Sequence, residues 1–259
     1  MTPFGDVAAR FAVPRSIGER RALLERLRRV PDVRDVVLCE EIGVVVFAER
    51  AEAADRAATG GGAPALLTAA LSAPLDAITV EPTLRVAKVV YDGEDLDAVA
   101  AAIARTPEDV VRMHADGDYV VAMLGFLPGF AYLRGLAPEL CLPRRAPRPR
   151  VPARSVAIGA DYTGIYPLAS AGGWHLLGRA VETPAFELGD RVRFERVEAA
   201  SPGEESPTGD TSVTPIGAHL VVTRVAGLAL IVDAGRAGKM HRGMPPGGPL
   251  VKRLFAQAN

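Results

Sequence analysis

Several short motifs that identify catalytic folds are missing from the sequence. It contains no G-x-x-x-x-G-K-[ST] phosphate-binding loop, no H-E-x-x-H zinc site and no G-x-S-x-G nucleophile elbow. With only four histidines and two cysteines that lie far apart, it also lacks the ligand spacing of a metal cluster. These absences argue against a free-standing ATPase, zinc hydrolase or serine hydrolase, and we expect no bound metal.

An excess of charge and long apolar runs are also lacking. The 30 basic and 31 acidic side chains give a net charge of -1, which argues against a general attraction to nucleic acid or anionic lipid. No run of 18 apolar residues occurs, and the N-terminus lacks a basic segment followed by an apolar one. We therefore expect a soluble, cytoplasmic protein that binds neither nucleic acid nor membrane.

The chain is long and apolar enough for two compact domains. It has 259 residues, of which 49% are hydrophobic. A polar segment rich in Pro and Gly after residue 197 is typical of a flexible linker. We predict an N-terminal domain at 1–83, a second domain at 84–197, a linker at 198–218 and a segment at 219–259 that is too short to bury a core alone.

The first domain alternates between strand-like and helical patterns. Ser16 is an N-cap before an apolar set with helical spacing that Pro31 ends, and β-branched runs on either side of Cys39 suggest an antiparallel pair. The predicted elements are a strand at 7–11, that helix, strands at 33–38 and 43–48, an interrupted helix at 51–71 and a strand at 77–80. This βαββαβ order predicts a ferredoxin-like domain without a catalytic candidate.

The second domain is dominated by short strands and turns. A strand at 84–91 precedes a helix at 95–104, and Thr106, followed by Pro107, begins another helix that ends near Met113. Further strand-like segments lie at 120–123, 156–158, 165–168, 174–178 and 191–194. The domain is predicted to be a β-barrel, and the chain as a whole to be α+β.

Aromatic and glycine residues form the first candidate for a ligand site. Pro128-Gly129 allows a tight turn and the close approach of either another backbone or a ligand. Phe130 and its aromatic neighbours either wall an apolar cleft or pack in the core, and Trp174 either shapes the rim or is ordinary packing. The residues assigned to this candidate site are Phe126, Pro128, Gly129, Tyr132, Tyr166, Gly172, Gly173 and Trp174.

A run of arginines forms the second candidate. It extends from Arg144 to Arg154 among four prolines, which favour an extended loop. Guanidinium groups suit carboxylate or phosphate oxygens, so Arg144, Arg145 and Arg148 are predicted to bind substrate. The alternatives are a solvated loop and a surface for an acidic partner.

His114 is the catalytic candidate. It falls at the C-terminal end of the helix after Thr106, where the helix dipole favours a protonated imidazole. A group with a pKa near neutrality can give or take a proton. The residue is therefore either a proton carrier or a simple helix cap.

Four motifs in one order resemble the allophanate hydrolase subunit 1 family, which includes the B subunit of bacterial 5-oxoprolinase. They are Gly125-Phe-Leu-Pro-Gly-Phe-Ala-Tyr-Leu, Pro-Arg-Arg-x-Pro-Arg from Pro143, Thr163-Gly-Ile-Tyr-Pro and Gly172-Gly-Trp. The resemblance implies a cyclophilin-like barrel for the second domain and a histidine at position 114. Residues from Ala226 onward are similar to the opening of the companion subunit 2. We therefore expect that this chain derives from a fusion of the two subunits or was cut from such a fusion.

The chain departs from the family pattern at three positions. Where the family has Pro-Gly-Gly-Trp, this chain has Ala171 in place of the proline. It has Arg154 in place of the glycine of Pro-Ala-Gly-Ser, and Ala180 in place of the threonine of Gly-Arg-Thr. An arginine at position 154 is expected to exclude the positive backbone angles that glycine allows. These changes leave the exact amide substrate open.

The resemblance implies a subunit of an ATP-dependent amide or lactam hydrolase, most directly 5-oxoprolinase, that is inactive without its partners. These partners would be a protein like allophanate hydrolase subunit 2, the C subunit of 5-oxoprolinase, and a protein like the A subunit of that enzyme. The assembled complex would use ATP, and this chain alone would bind no cofactor. Two other functions stay open: an inhibitor that docks on a sensor histidine kinase, and a carboxyltransferase-type module related to urea carboxylase.

Overall fold

The computed structural model of the chain describes residues 2–3, 8–47, 63–75, 82–198 and 238–244. The predicted strand at 77–80 lies outside these ranges. So do the predicted linker, apart from residue 198, and the 219–259 segment, apart from 238–244.

In the described residues, a small antiparallel sheet with two helices forms the N-terminal part. Its elements are β1 (Thr2–Pro3), β2 (Ala8–Ala12), α1 (Ile17–Leu27), β3 (Val33–Leu38), β4 (Ile42–Phe47) and α2 (Ala63–Ser72). The sheet order is β1-β2-β4-β3. Apolar residues of α1 and the sheet, among them Leu27 and Val45, are fully buried between them. Burial of this face supplies the hydrophobic stabilisation that holds the helix on the sheet.

Local signals place the first helix and hairpin correctly. The Ser16 hydroxyl accepts a hydrogen bond from the Glu19 backbone at 3.4 Å, and α1 ends at Leu27, four residues before Pro31. The predicted pair at 33–38 and 43–48 is confirmed as β3 and β4. The ferredoxin-like topology stays a prediction, because its closing strand lies outside the described residues.

The second part contains a closed barrel of seven strands, which confirms the predicted barrel. In chain order the elements are β5 (Leu84–Val90), α3 (Leu96–Ala102), α4 (Pro107–Ala115), β6 (Tyr119–Leu124), β7 (Ala131–Arg134), a 3-10 helix (Pro138–Leu140), β8 (Arg148–Val151), β9 (Ser155–Gly159), β10 (Tyr162–Ile165), β11 (Ser170–Gly172), β12 (His175–Ala180), β13 (Arg191–Arg196) and a second 3-10 helix (Met240–Arg242). The barrel order is β10-β7-β6-β13-β5-β12-β9, and β8 pairs separately with β11.

The barrel closes through one parallel strand pair. β13 runs parallel to β5, from Arg191 opposite Leu84 to Arg196 opposite Val89, whereas the other barrel pairs are antiparallel. The nearly inaccessible carboxylate of Asp190 accepts a hydrogen bond from Arg85 Nε at 2.9 Å beside this pair. This contact anchors the loop before β13 to the start of β5.

One predicted strand of the barrel is wrong in its extent. The strand predicted at 165–168 ends at Ile165, and the chain bends at Pro167 and Leu168. The arginine run is extended in part, and its strand β8 pairs with β11. Strands β7, β8 and β11 are too short for an alternation pattern to reveal them.

An ion-pair cluster joins the N-terminal sheet to the barrel. Arg134 on β7 donates to both carboxylate oxygens of Glu40, at 2.8 and 2.6 Å, and to Asp161 at 2.8 Å. Its guanidinium lies 4.5 Å from the ring centroid of Tyr162. The hydrogen bonds from Arg134 hold the pKa of Glu40 at about 2, well below its ordinary value. The carboxylate therefore stays charged under ordinary conditions.

Candidate functional site

An aromatic cavity of about 260 Å³ lies beside the barrel, and most of the predicted site residues line it. Its wall is built by the loop after β6, by β7, by the arginine loop before β8, by Tyr166 after β10 and by the segment that joins β11 to β12. The lining residues are Phe126, Phe130, Tyr132, Arg144, Pro147, Tyr166, Ala171, Gly172, Gly173 and Trp174. We call this space the aromatic cavity.

Phe130 is the centre of the aromatic wall. Its ring lies edge-on to Tyr132, Tyr166 and Trp174, with centroid distances of 5.0, 5.2 and 5.4 Å. Phe130, Tyr166 and Trp174 are buried and belong to a separate hydrophobic cluster beside the main barrel core. The two alternatives for these aromatics, core packing and cleft wall, therefore both hold. Such a wall offers flat apolar surfaces with hydroxyl groups at their edges.

Phe126 on the rim has an unusual backbone. Its φ is 71° and its side chain is exposed, at 58%. A bulky residue with positive φ is uncommon and strained, and such strain clusters at functional sites. The ring leans towards Phe130, with centroids 5.6 Å apart. The loop thus holds an apolar side chain at the opening of the cavity.

The two glycines of the cavity are required by close packing. A Cβ atom on Gly172 would lie 2.4 Å from the Tyr166 hydroxyl, and one on Gly173 would lie 2.6 Å from the Arg145 carbonyl oxygen. Gly173 O also accepts a hydrogen bond from the Arg145 backbone at 2.9 Å. The arginine loop can approach the segment between β11 and β12 this closely because Gly173 lacks a side chain, and the Tyr166 ring lies against Gly172 for the same reason.

Of the three arginines predicted to bind substrate, the structure brings one into the cavity. Arg144 lies over Trp174, 5.8 Å from the ring centroid. Arg145 and Arg148 instead pair with Asp95, and Arg148 also pairs with Glu94 at 2.8 Å. Neither lines the aromatic cavity, and the structure gives no support to their assignment as substrate ligands, because Asp95 and Glu94 already pair with their guanidinium groups.

Asp95 is the buried anchor that the sequence interpretation did not include. Its Oδ2 accepts the Leu176 backbone N–H at 2.7 Å, and its Oδ1 accepts from Arg148 at 2.5 Å and from Arg145. Burial opposes ionisation, but the hydrogen bonds from Leu176, Arg148 and Arg145 outweigh it and lower the pKa of Asp95. An aspartate before a helix is typical of an N-cap, yet this one makes no cap hydrogen bond.

Pro128 and Gly129 do not line the aromatic cavity. Gly129 has a φ of 81°, as expected for a tight turn. Its backbone N–H donates to the carbonyl oxygen of Arg242 at 3.2 Å. The sequence interpretation allowed either another backbone or a ligand to approach this glycine, and the described segment at 238–244 makes such a backbone contact.

His114 is enclosed in the barrel core. It is 0% exposed, with Nδ1 2.8 Å from the Tyr91 hydroxyl and Nε2 2.7 Å from the Thr163 hydroxyl. Burial lowers the pKa of His114 to about 3, opposite to the helix-end effect that was expected. Because it does not line the aromatic cavity and both ring nitrogens are engaged, the structure supports neither the proton carrier nor the helix cap.

Arg154 retains the backbone that glycine has in the family pattern. Its φ is 66°, so the expectation that an arginine excludes positive angles is wrong. Backbone hydrogen bonds compensate: Arg154 N–H donates to Tyr166 at 2.6 Å, and Ala180 N–H donates to Arg154 at 2.8 Å. The surrounding strands thus impose the left-handed conformation on an unfavourable residue.

Metal-binding and membrane-spanning features are absent from the described ranges. No group of three or more His, Cys, Asp or Glu side chains there is arranged to hold a metal ion. None of the helices in these ranges combines the length and apolar character needed to span a bilayer. Cys39 and Cys141 are both free thiols.

Comparison with known proteins gives a consistent result. The family model "Carboxyltransferase domain, subdomain C and D" matches residues 5–191. The chain is 43% identical over 122 residues to the 5-oxoprolinase B subunit of Bacillus subtilis, covering 42% of this chain and 51% of that protein. It is 47% identical over 119 residues to the 5-oxoprolinase B subunit of Escherichia coli O157:H7, covering 41% and 55%. These matches thus span about half the length of each curated relative.

Two solved structures resemble the fold. A protein named TTHA0988 is 32% identical with a TM-score of 0.70, over 94% of this chain and 50% of that one. Urea carboxylase of Kluyveromyces lactis is 16% identical with a TM-score of 0.55, over 74% of this chain and 21% of that one, which is a likeness of fold alone. Because the family model matches well over half of its residues, the chain belongs to the carboxyltransferase subdomain C and D family, with the resemblance to the 5-oxoprolinase B subunit and allophanate hydrolase subunit 1 confirmed.

Proposed function

We propose that the chain is a subunit of a 5-oxoprolinase-type hydrolase, in which 5-oxoproline, ATP and water give glutamate, ADP and phosphate. Relatives named as the B subunit of 5-oxoprolinase support the assignment to this enzyme. The aromatic cavity is the observation that carries the proposal for this chain, because it joins apolar walls to one guanidinium group. Proteins like the C subunit, or subunit 2, and like the A subunit would complete the enzyme, and ATP would act in that assembly.

The cavity suits a small ring that carries one carboxylate. Ligand pockets for drug-sized molecules begin at about 300 Å³, so a space of about 260 Å³ favours a smaller ligand. The ring of 5-oxoproline would lie against Phe130 and Trp174, and its carboxylate would accept hydrogen bonds from Arg144. Tyr132 and Tyr166 would donate to the lactam oxygen, because burial raises the pKa of both hydroxyls and keeps them protonated.

In this proposal the chain binds and orients substrate, and its partners contribute to the chemistry. Opening the lactam requires phosphorylation of its carbonyl oxygen and then attack by water. Among the residues that line the aromatic cavity there is no histidine or carboxylate to act as a base near neutral pH. The cavity would instead hold the carboxylate and exclude water from the ring. Activity of this chain alone is therefore not expected.

The first experiment measures ATP-dependent release of glutamate by the three proteins together and with this chain left out. Arg144→Gln should abolish most of the activity gained by adding the chain. Arg150→Gln is the matched control, since it lies in the same arginine run but outside the cavity lining. Full activity without the chain would contradict the proposal, and so would equal effects of the two variants.

Binding can be measured without the partners. Trp174 is the only tryptophan in the sequence, so its fluorescence reports directly on the aromatic cavity. Titration with 5-oxoproline should change the emission of the wild type, and Arg144→Gln should weaken binding about tenfold or more. A wild type that gives no saturable response would argue against a substrate site in this cavity.

A carboxyltransferase-type module related to urea carboxylase is the second candidate function. This function agrees with the description of the matching family model, which names a carboxyltransferase domain. The fold of the K. lactis enzyme is compatible with it. Biotin-dependent carboxyl transfer to urea or a related amide, in the presence of a carboxylase partner, would support this function. Absence of such transfer in a mixture that hydrolyses 5-oxoproline would remove it.

Finer structural assignments accompany the proposal. We propose a ferredoxin-like N-terminal domain, supported by the β2-α1-β3-β4 order, and a cyclophilin-like barrel, supported by the family resemblance. A cytoplasmic location is proposed with them, since the curated relatives are named as subunits of an enzyme that would use ATP. A crystal structure covering residues 48–83 would test the first assignment.

A further inference from the structure

The arginines of the loop before β8 have different surroundings. Arg144, Arg145 and Arg148 lie within five residues, yet only Arg144 lines the aromatic cavity. Arg145 and Arg148 both turn to Asp95, a residue about fifty positions earlier in the chain. The fold therefore separates one free guanidinium from two paired ones.

Asp95 is fixed to the barrel and not merely to the loop. Its side chain is 6% exposed, and its second oxygen accepts the backbone N–H of Leu176 on β12. Arg148 extends the connection by donating to the Trp174 carbonyl oxygen at 3.2 Å. A buried carboxylate with this many donors is held in one position, and it holds both arginines with it.

The local charges of the paired group cancel. Arg145 and Arg148 face Asp95, and Glu94 forms a further ion pair with Arg148 at 2.8 Å. Glu94 is 63% exposed and Asp95 is nearly inaccessible, so Asp95 neutralises more effectively. Two guanidinium groups against two carboxylates leave no net charge beside the cavity.

Arg144 lacks such a partner. Its guanidinium contacts the ring of Trp174, and no ion pair or hydrogen bond to this group occurs within the described ranges. Its charge acts on the Tyr132 and Tyr166 hydroxyls, and that of Arg148 acts on Tyr166 as well. Arg148 is thus near enough for its charge to act inside the cavity, and the carboxylate of Asp95 opposes that charge.

We propose that Asp95 is a specificity-determining residue: by pairing with Arg145 and Arg148 it holds both guanidinium groups out of the cavity and leaves one, Arg144, so that the cavity selects a small ligand with a single negative charge. This inference rests on the proposed function for its ligand, because 5-oxoproline is a cyclic monoanion. Asp95 acts through the arginines and does not itself touch substrate. A dianion of similar size is disfavoured, because its second carboxylate finds no free cation.

Asp95→Asn tests the proposal, with Glu94→Gln as the matched control. The amide oxygen of the first variant can still accept from Leu176, but the negative charge is gone. Trp174 fluorescence gives dissociation constants for 5-oxoproline and for glutarate, a dianion. Asp95→Asn should shift the ratio of the two constants about tenfold towards glutarate, whereas exposed Glu94→Gln should shift it by about twofold or less.

The ratio separates specificity from general damage to the fold. If Asp95 had a purely structural role, Asp95→Asn would weaken the binding of both ligands equally and leave the ratio of the dissociation constants unchanged. That result would overturn the proposal. A shift as large in Glu94→Gln would overturn it too, because the buried carboxylate would then have no special role. Circular dichroism of each variant checks that the barrel is folded.

A second measurement does not depend on 5-oxoproline. Iodide, an anion, and acrylamide, which is neutral, both quench tryptophan fluorescence, and their relative efficiency reports the local potential at Trp174. Asp95→Asn should raise iodide quenching relative to acrylamide, and added salt should diminish the difference. If the wild type fails to bind 5-oxoproline but this change occurs, the proposed function fails while the charge-setting role stands. An unchanged quenching ratio overturns that role.

Discussion

Nε2 of His114 lies 2.7 Å from Oγ1 of Thr163, and this contact fixes the protonation of the ring. The Thr163 hydroxyl donates its own hydrogen to the Ala157 carbonyl oxygen at 3.1 Å, so it accepts from Nε2–H. Nδ1 then accepts from the Tyr91 hydroxyl at 2.8 Å. His114 is therefore a neutral, fully hydrogen-bonded member of the barrel core.

The burial of His114 predicts a loss of stability in mild acid. The pKa is lowered by burial to about 3 in the folded protein, against about 6.5 in an unfolded chain. Above pH about 6.5 both states are neutral and stability does not change with pH on this account. Below it the unfolded state binds the proton first, so the free energy of unfolding falls by up to about 1.4 kcal/mol per pH unit.

Urea unfolding between pH 7.5 and pH 5 measures this slope. His114→Gln removes the titrating group, so we expect a lower stability at pH 7.5 but a flatter dependence on pH. Glu40 does not interfere, because Arg134 lowers its folded pKa to about 2 and its contribution is lost only as pH falls below its ordinary value of 4.5. Equal slopes in the two proteins would show that His114 does not titrate in this way.

Arg154→Gly should stabilise the protein. The positive φ of 66° disfavours every side chain that has a Cβ atom, by about 1 kcal/mol. The arginine also donates to the Val181 carbonyl oxygen at 3.0 Å, a bond that both Arg154→Gly and Arg154→Ala remove. The difference between these variants isolates the backbone effect. Thermal and urea unfolding should rank Arg154→Gly above Arg154→Ala, and the reverse order would contradict the assigned conformation.

Gly173→Ala should disrupt the arginine loop. The added methyl group would lie 2.6 Å from the Arg145 carbonyl oxygen, and backbone cannot yield as a flexible side chain does. We expect a loss of about 1 to 3 kcal/mol in the free energy of unfolding and a shift of Trp174 emission.

Gly125→Ala provides the matched control for this variant. Apart from its chain neighbours, no atom of the described residues lies within 4 Å of the Cβ position at Gly125, which begins the loop after β6. Its stability should stay within about 0.5 kcal/mol of the wild type. If both glycine variants behave alike, close packing at Gly173 does not hold the loop.

Arg134→Lys should weaken the junction between the N-terminal sheet and the barrel. The guanidinium donates to both oxygens of Glu40 as well as to Asp161, whereas an ammonium group cannot match this planar arrangement. Because the arginine side chain is 40% exposed, solvent screening limits the expected loss to about 1 kcal/mol. Urea unfolding gives the comparison.

Arg179→Lys is the control for the junction. Its pair with Asp92 spans 3.3 Å, and both side chains are half exposed. Such a surface pair contributes little, so this replacement should leave the unfolding midpoint unchanged. If Arg179→Lys lost as much stability as Arg134→Lys, the paired hydrogen bonds from Arg134 to Glu40 would have no particular importance for stability.

Sequence reasoning succeeds where the signal is local. Ser16 and Thr106 cap their helices as predicted, because a cap depends on residues three positions away. Gly172 and Gly173 are predicted site residues because of their motif, and both line the cavity. The aromatic residues of the site could be predicted in the same way, because they lie in short motifs rich in glycine.

The errors arise where partners are distant in the chain. Arg145 and Arg148 find Asp95 at separations of 50 and 53 residues, so nothing in the arginine run distinguishes them from Arg144. His114 is buried by Tyr91 and Thr163, at separations of 23 and 49 residues. Periodicity carries no information on such contacts, because they depend on how the barrel closes.

The parallel pairing of β5 and β13 fixes where the chain enters and leaves the barrel. Since these neighbours run in the same direction from Leu84 and Arg191, the entrance at Leu84 and the exit at Arg196 lie at opposite poles. Six paired residues span about 20 Å. A circular permutant that joins the two points would need a connecting peptide at least that long.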